Sequence, residues 1–182
     1  MKKSILTIAF VFLCATLFSQ ENNVRVPSGY QGFLEMGNLH HFTDSTSSCI
    51  DLSTTHGFYF GGKVFAGIGI GVVFNNEVSV VPIYTSVNYV FNNSKTLSPV
   101  AKLRIGSYIS NSNYGTYADL GVGVRFASAK DFAVSLMLAG TYYDPFTKKV
   151  YSDYYDGYGY SVNIVEKKYN LSGVSLRFGI EW

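Results

Sequence analysis

Apolar and polar residues alternate along most of this chain, and the alternation is clearest over residues 173–182. One face of this segment consists of Val174, Leu176, Phe178 and Ile180, and the other contains Ser175, Arg177, Gly179 and Glu181. A period of two residues indicates a β-strand. Because the polar face carries full charges in mid-strand, the pattern favours a membrane barrel, in which apolar faces contact lipid and polar faces line a packed lumen.

Seven further segments alternate in the same way, at 30–36, 50–60, 63–74, 78–91, 97–109, 116–126 and 132–143. The segment 63–74 is the most regular, because its apolar residues face outward while Gly67, Gly69 and Gly71 face inward and leave room for large lumen side chains. A phosphate-binding glycine loop would need a following helix, and none is predicted. The pattern therefore predicts an all-β fold, an antiparallel up-and-down transmembrane β-barrel of about eight strands.

Short turns and long loops alternate between the predicted strands. The short turns are Gly61-Gly62, residues 92–95 and residues 128–131, whereas the long links are 38–48 and 144 to about 168. If the amino terminus lies in the periplasm, all short turns are periplasmic and both long links are extracellular, as is usual for such barrels.

The first residues predict export. Lys2 and Lys3 form a positive region, and residues 5–18 form an uncharged apolar stretch that is too short to span a membrane. We therefore predict a cleaved signal peptide over residues 1–20 and a barrel domain over residues 21–182. A lipoprotein is disfavoured, because the candidate Cys14 follows Phe12 and Leu13 rather than a small residue.

Charge and cysteine content narrow the functional classes. The chain has 14 Lys and Arg against 12 Asp and Glu, and loss of Lys2 and Lys3 leaves 12 of each sign. A neutral mature chain gives no indication of nucleic-acid binding. Processing would also remove Cys14, so Cys49 would be a single thiol and no intramolecular disulfide is expected.

Charged residues at inward positions are the main candidate site. They are Glu35, Asp51, Lys102, Arg104, Asp119, Arg125, Arg177 and Glu181. An eight-stranded barrel is about filled by its own side chains, so we predict a salt-bridge network that plugs the lumen. The alternative is a narrow porin-like channel for small solutes.

Enzymatic and metal sites are weakly supported. His40, His41, Asp44 and Ser45 lie in the first long link, and some outer-membrane lipid-modifying enzymes place Ser and His at the outer rim. The motifs of those families are missing, so we predict no enzyme and no cofactor, with a lipid-modifying enzyme as the third hypothesis. Adjacent His residues in a strand point to opposite faces, which disfavours a metal site. His56 is predicted on the membrane-facing side near the periplasmic end of its strand.

The last long link is rich in tyrosine, with Tyr151, Tyr154, Tyr155, Tyr158 and Tyr160 around an Asp156-Gly157 hairpin signal. We predict a ribbon that extends the seventh and eighth strands above the bilayer. Tyrosine offers a large contact area at low entropic cost, so the ribbon is a candidate surface for an extracellular protein or glycan. The alternative is that the tyrosines brace the ribbon by pairing across it.

Several tracts carry a family resemblance, namely residues 29–35, 53–58, 98–106 and 121–126. They resemble the small outer-membrane β-barrel proteins common in Bacteroidota, of the outer membrane protein A and X type. The resemblance implies residence in the cell outer membrane, contact with its lipid and a structural or surface-interaction role. The last segment resembles the signal recognised by the outer-membrane assembly machinery, carried by Gly173, Leu176, Phe178, Ile180 and Trp182.

Overall fold

The computed structural model describes residues 28–42, 48–76, 78–92, 96–110, 113–129, 132–155 and 160–182. These residues form ten β-strands: β1 (Gly29–His41), β2 (Cys49–Phe60), β3 (Val64–Phe74), β4 (Ser79–Val90), β5 (Leu97–Ser110), β6 (Asn113–Ala129), β7 (Phe132–Tyr143), β8 (Phe146–Tyr155), β9 (Tyr160–Tyr169) and β10 (Gly173–Glu181). In the described ranges no helix has the length and apolar character of a membrane span. The predicted signal peptide, residues 1–20, lies outside the described residues.

Eight of the strands close into an antiparallel barrel with the order β1-β10-β7-β6-β5-β4-β3-β2. Closure occurs between β1 and β10, where Phe33 lies opposite Glu181 and His41 lies opposite Gly173. A closed barrel pairs the backbone groups that an open sheet would leave at its edges. The predicted all-β, up-and-down barrel of about eight strands is therefore confirmed.

The alternating sequence produces this barrel because successive side chains of a strand point to opposite sides of the sheet. In β2 each lumen-facing residue from Cys49 to Tyr59 is buried, and each intervening residue is exposed or half-buried. On the outer wall, Ile68 is 70% exposed and Leu120 is 63% exposed. The predicted inward and outward faces of β2 and β10 are thus confirmed.

The Gly61-Gly62 turn is also confirmed. Both residues have positive φ angles, 58° for Gly61 and 66° for Gly62. The Lys63 N–H donates to the Phe60 carbonyl oxygen at 3.3 Å and closes a turn with the two glycines at its centre, where glycine adopts positive φ angles without steric cost. We call this end of the barrel the turn end and the opposite end the ribbon end.

The predicted ends of β1 and β6 were wrong. β1 continues past Met36 to His41, so His40 and His41 lie on a strand and the first long link is shorter than residues 38–48. β6 continues past Phe126 to Ala129, with an irregular register between Ala127 and Ala129. Polar residues close to the rims interrupt the apolar pattern before the backbone ladder ends, which explains these errors.

The predicted ribbon forms a sheet of its own rather than an extension of the seventh and eighth barrel strands. β8 pairs with β9 from Phe146 opposite Tyr169 to Tyr155 opposite Tyr160. Asp144 and Pro145 separate β7 from β8. Proline lacks a backbone donor, which accounts for a break in the ladder at this point.

Among the described residues, two apolar clusters lie inside the barrel, one toward each end. The turn-end cluster consists of Phe33, Tyr59, Phe65, Val90, Val100 and Met137. The ribbon-end cluster consists of Leu39, Cys49, Val73, Val78, Val80, Tyr84, Tyr108, Tyr117, Tyr143, Tyr169 and Leu171. The charged lumen residues lie between and beside these clusters.

Candidate functional site

The barrel strands place all eight charged candidate residues inside the lumen. None of Glu35, Asp51, Lys102, Arg104, Asp119, Arg125, Arg177 and Glu181 is more than 4% exposed. Each of them forms at least one ion pair with another member of the set. Buried ions are stable only when they are paired and hydrogen-bonded, so these contacts are a condition for the fold.

Glu35 is the acceptor of the first ion cluster. Lys102 Nζ donates to Glu35 Oε1 at 2.7 Å, and Arg104 pairs with the other carboxylate oxygen. Glu35 belongs to β1 and both cations belong to β5, which is the strand opposite β1 in the closed order. These pairs therefore cross the full width of the lumen.

Arg177 is the cation of the second cluster. Its Nε lies 2.8 Å from Asp51 Oδ2, and its Nη1 lies 2.8 Å from Asp119 Oδ2. The Thr141 hydroxyl accepts from Arg177 Nη2 at 3.2 Å and donates to Asp119 at 2.9 Å. Asp51 on β2 and Asp119 on β6 are also on opposite sides of the barrel, and Arg177 on β10 joins them.

A third contact joins Arg125 and Glu181 in a bidentate pair, with distances of 2.7 Å and 2.9 Å. This geometry is the strongest form of an arginine–carboxylate interaction. The first cluster has one acid and two bases, the second has two acids and one base, and the third has one of each. The whole set is therefore neutral.

A small cavity and two aromatic rings lie beside these charges. A cavity of about 10 Å³ lies among nine residues that include Lys102, Arg125 and Glu181, which is room for about one water molecule. Lys102 lies over the Phe33 ring at 5.0 Å, and Arg104 lies over the Tyr84 ring at 4.9 Å. Aromatic rings thus fill the space beside the cations and stabilise them electrostatically.

Tyrosine rings pack across the ribbon end of the lumen. Tyr117 contacts Tyr84 with a centroid distance of 5.6 Å and Tyr143 with one of 5.0 Å, and Tyr143 also contacts Tyr108 at 5.5 Å. Tyr169 and Leu171 join the same cluster from the base of the ribbon and are almost fully buried. The ribbon base is therefore packed into the mouth of the barrel.

Asp144 fixes the point where the chain leaves the barrel for the ribbon. Its carboxylate accepts hydrogen bonds from the Thr116 backbone N–H at 2.9 Å and from the Tyr142 hydroxyl at 2.7 Å. The hydrogen bond from the Thr116 backbone, and after it the one from Tyr142, lowers the pKa of Asp144 below its ordinary value, because both favour the ionised carboxylate. The Tyr108 hydroxyl also donates to the Asp144 carbonyl oxygen at 2.6 Å.

Four of the five tyrosines predicted to form a recognition surface lie on the two strands of the ribbon. Tyr151, Tyr154 and Tyr155 are on β8 and Tyr160 is on β9, with Tyr155 and Tyr160 as register partners. Tyr158 and the Asp156-Gly157 turn signal lie outside the described residues.

The rim histidines contact two different partners. His40 faces outward and its Nδ1 lies 3.0 Å from the Ser48 hydroxyl oxygen, whereas the Nε2 of half-buried His41 lies 3.2 Å from Cys49 Sγ. Asp44 and Ser45 lie outside the described residues. Within the described ranges, no group of three or more His, Cys, Asp or Glu side chains is arranged to hold a metal ion.

The predicted assembly-signal residues are on β10 and directly after it. Gly173 pairs with His41, and the side chains of Leu176 and Phe178 are exposed on the outer wall, as is that of Trp182. Ile180 is half-buried on the same face.

Trp182 also contacts residues that the sequence did not single out. Its backbone exchanges hydrogen bonds with Gly32 at 2.8 Å and 3.0 Å, and its ring meets the His56 ring edge-on at 6.2 Å. A Cβ atom on Gly32 would lie 2.8 Å from two atoms of the indole. Gly32 thus lets Trp182 lie across β1 onto β2, and the only sequence signal for this was a glycine on an otherwise apolar face.

Comparison with known proteins identifies a shared fold. No family model and no curated protein matches the chain. The crystal structure of Neisserial surface protein A aligns over 85% of this chain and 95% of its own, at 12% identity and a TM-score of 0.58. The N-terminal β-barrel domain of Pseudomonas aeruginosa OprF aligns over 86% of this chain and 100% of its own, at 13% identity and a TM-score of 0.50. At these identities the likeness concerns the fold, and the Bacteroidota relationship stays a prediction.

Proposed function

We propose that this chain is an integral outer-membrane β-barrel protein whose lumen is plugged by its own charged side chains and whose role is structural or surface-interacting. The exposed side chains of the barrel strands are predominantly apolar, as a lipid-facing wall requires. The fold shared with Neisserial surface protein A and with the OprF barrel domain supports the same assignment. Export through the signal peptide over residues 1–20 and engagement of the assembly machinery by β10 and Trp182 are parts of this proposal.

The observation that carries the proposal is the pairing of charges across the lumen. Glu35 meets Lys102 and Arg104 from the opposite wall, and Arg177 joins Asp51 to Asp119. A porin-like path needs a wider barrel with a hydrated lumen, whereas these ions are desolvated and neutralise one another. A closed lumen transports no solute and leaves the ends of the barrel as the functional surfaces.

Conductance in planar lipid bilayers tests the plug directly. The wild-type barrel should give no steady conductance, while replacement of Glu35, Lys102 and Arg104 together by alanine should open a path without leaving an unpaired charge in that cluster. Ser53→Ala is a matched control, because it removes a small buried lumen group near Arg104 but leaves every ion pair in place. Steady conductance by the wild-type protein would favour the narrow channel instead.

The ribbon is the part of the chain that we propose for surface interaction. It forms a separate two-stranded sheet at the ribbon end, and its base is held by Asp144 and by the buried Tyr169 and Leu171. In the proposed orientation the ribbon lies outside the bilayer, where an extracellular protein or glycan can reach it. The tyrosine content of the ribbon is typical of binding surfaces.

Two variants separate binding from bracing. Replacement of residues 147–168 by Asn-Gly should leave heat-modifiable gel migration intact, because loops at this face contribute little to barrel stability. A second variant keeps the ribbon and replaces Tyr151, Tyr154, Tyr155, Tyr158 and Tyr160 by serine. Both variants should lose adhesion to immobilised extracellular proteins or glycans that wild-type cells bind. Failure of the shortened barrel to assemble would show instead that the ribbon serves barrel stability.

A further inference from the structure

A groove runs along the outer wall of the barrel beside the Trp182 contact. It has a volume of about 270 Å³ and is lined by Thr54, His56, Ile68, Gly69, Ile70 and Ile83. These residues belong to β2, β3 and β4, and all except Gly69 project outward from the wall. The side of Gly69 that would carry a Cβ atom faces Tyr84 in the lumen, so at this position the floor of the groove is backbone.

A chain of hydrogen bonds forms the polar side of this groove. The Tyr30 hydroxyl lies 2.7 Å from His56 Nδ1, and His56 Nε2 lies 3.1 Å from the Thr54 hydroxyl oxygen. Thr54 in turn donates to the Phe33 carbonyl oxygen at 3.1 Å. With the proton on Nε2, every member of the chain has a partner, so a histidine can lie on an apolar wall without an unsatisfied polar atom.

The polar residues Thr54 and His56 lie along β2 opposite Ile70 and Ile68 of β3, so the groove has a polar side and an apolar side, and its two ends differ in their neighbours. Its His56 end lies toward the turn end of the barrel, where the rings of Tyr30 and Trp182 flank it and are 56% and 46% exposed. Its other end lies between Ile70 and Ile83, which are register partners nearer the middle of the wall. Tyr and Trp prefer the membrane interface, whereas isoleucine prefers the hydrocarbon.

This orientation matches an amphiphile in the leaflet at the turn end. We propose that the groove is a binding site for one phospholipid of that leaflet, which rests on the proposed membrane location. An acyl chain lies over Gly69 between the isoleucines, and the headgroup lies beside Tyr30 and Trp182, where the Tyr30 hydroxyl oxygen can accept a hydrogen bond and the Trp182 indole N–H can donate one. The volume is below the usual range for whole drug-sized ligands, about 300–1,000 Å³, and therefore suits one chain of the lipid.

Trp182 is the only tryptophan of the chain and lies at the rim of the groove, so its fluorescence reports occupancy. The probe is dibrominated phosphatidylethanolamine titrated into the refolded full-length protein in detergent micelles, because bromine quenches tryptophan at short range. A specific site gives saturable quenching at a low mole fraction of lipid, whereas random contact gives quenching that rises linearly.

Two matched pairs of variants locate the site. Ile83→Phe fills the groove, and Ile105→Phe makes the same change at an outward position of equal exposure that does not line it. Thr54→Leu fills the groove from its polar side, and Thr85→Leu removes the same kind of hydroxyl-to-carbonyl bond outside the groove. Heat-modifiable migration is recorded for every variant to show that the barrel has folded.

We expect saturable quenching in the wild type, Ile105→Phe and Thr85→Leu, and loss of the saturable component in Ile83→Phe and Thr54→Leu. Linear quenching in the folded wild type, or the same saturable curve in all five proteins, would overturn the lipid site and leave the proposed function intact. If the wild type shows no heat-modifiable migration and stays in solution without detergent, the proposed function fails, and the lipid site fails with it.

Discussion

Arg177 should contribute more to barrel stability than Arg104, although both are fully buried arginines in the lumen. Replacement of Arg177 by methionine removes the cation that pairs with both Asp51 and Asp119. Replacement of Arg104 by methionine leaves Glu35 paired with Lys102 at 2.7 Å. The first change therefore creates two buried acids without their cation, and the second creates none.

The magnitudes follow from these contacts. Removal of one partner of a buried ion pair costs about 3–5 kcal/mol, so we expect Arg177→Met to lower the free energy of unfolding by about 4 kcal/mol. Loss of one hydrogen bond to a charged group costs about 1.5–3 kcal/mol, so we expect Arg104→Met to lower it by about 2 kcal/mol. Methionine keeps much of the side-chain length in both variants, which limits the difference in cavity volume.

Urea unfolding in lipid vesicles, followed by Trp182 fluorescence and by heat-modifiable migration, gives both free energies. Addition of Asp51→Asn and Asp119→Asn to Arg177→Met should restore more than half of the lost stability, because it removes the unpaired charges. Equal losses for the two single variants, or a triple variant that is no more stable than Arg177→Met, would refute the electrostatic account and indicate a packing effect.

Two further predictions concern the seam and the ribbon base. Gly32→Ala should cost about 1–3 kcal/mol and change the Trp182 emission maximum, because its Cβ would lie 2.8 Å from the indole; Gly140→Ala, which meets no atom within 4 Å, is the control and should cost nothing measurable. Hydrogen bonds from Thr116 and Tyr142 favour the ionised form of Asp144 and lower its pKa. These hydrogen bonds should therefore be present at a pH above the ordinary aspartate pKa and should be lost as the pH falls through the lowered pKa of Asp144. The Thr116 amide resonance in micelles should therefore titrate below the ordinary aspartate range in the wild type and not at all in Asp144→Asn, and titration at or above that range would contradict this account.

Much of the fold could be predicted from the sequence, because a barrel wall in lipid imposes a strict contrast between its two faces. The predicted bounds of β7 agree with the structure at both ends, and the closing β10 was assigned correctly from its period of two. The ends of β1 were harder to predict. Asn38 and His40 are polar residues that face outward near the rim of the barrel. Outward residues near the rim need not be apolar, so the alternation of apolar and polar residues does not mark the end of the strand there.

The sequence indicated which charged residues face the lumen but not which of them meet. Pairing across the lumen depends on the shear of the barrel and on side-chain rotamers, and neither is encoded in a single strand. The contact between Trp182 and His56 was missed for a related reason. It requires an aromatic side chain to cross a neighbouring strand at Gly32, and strand-by-strand periodicity contains no information about such crossings.

The ion pairs also have a consequence for the accuracy of barrel closure. A slip of one residue between β10 and β1 would turn the apolar face inward, so the alternating pattern alone rejects it. A slip of two residues keeps every apolar side chain outside and is invisible to that pattern. It would, however, move Arg177 by about 7 Å along the strand, out of reach of Asp51, which lies 126 positions earlier in the chain. The charges thus distinguish the correct register of β10 against β1 from its nearest competitors.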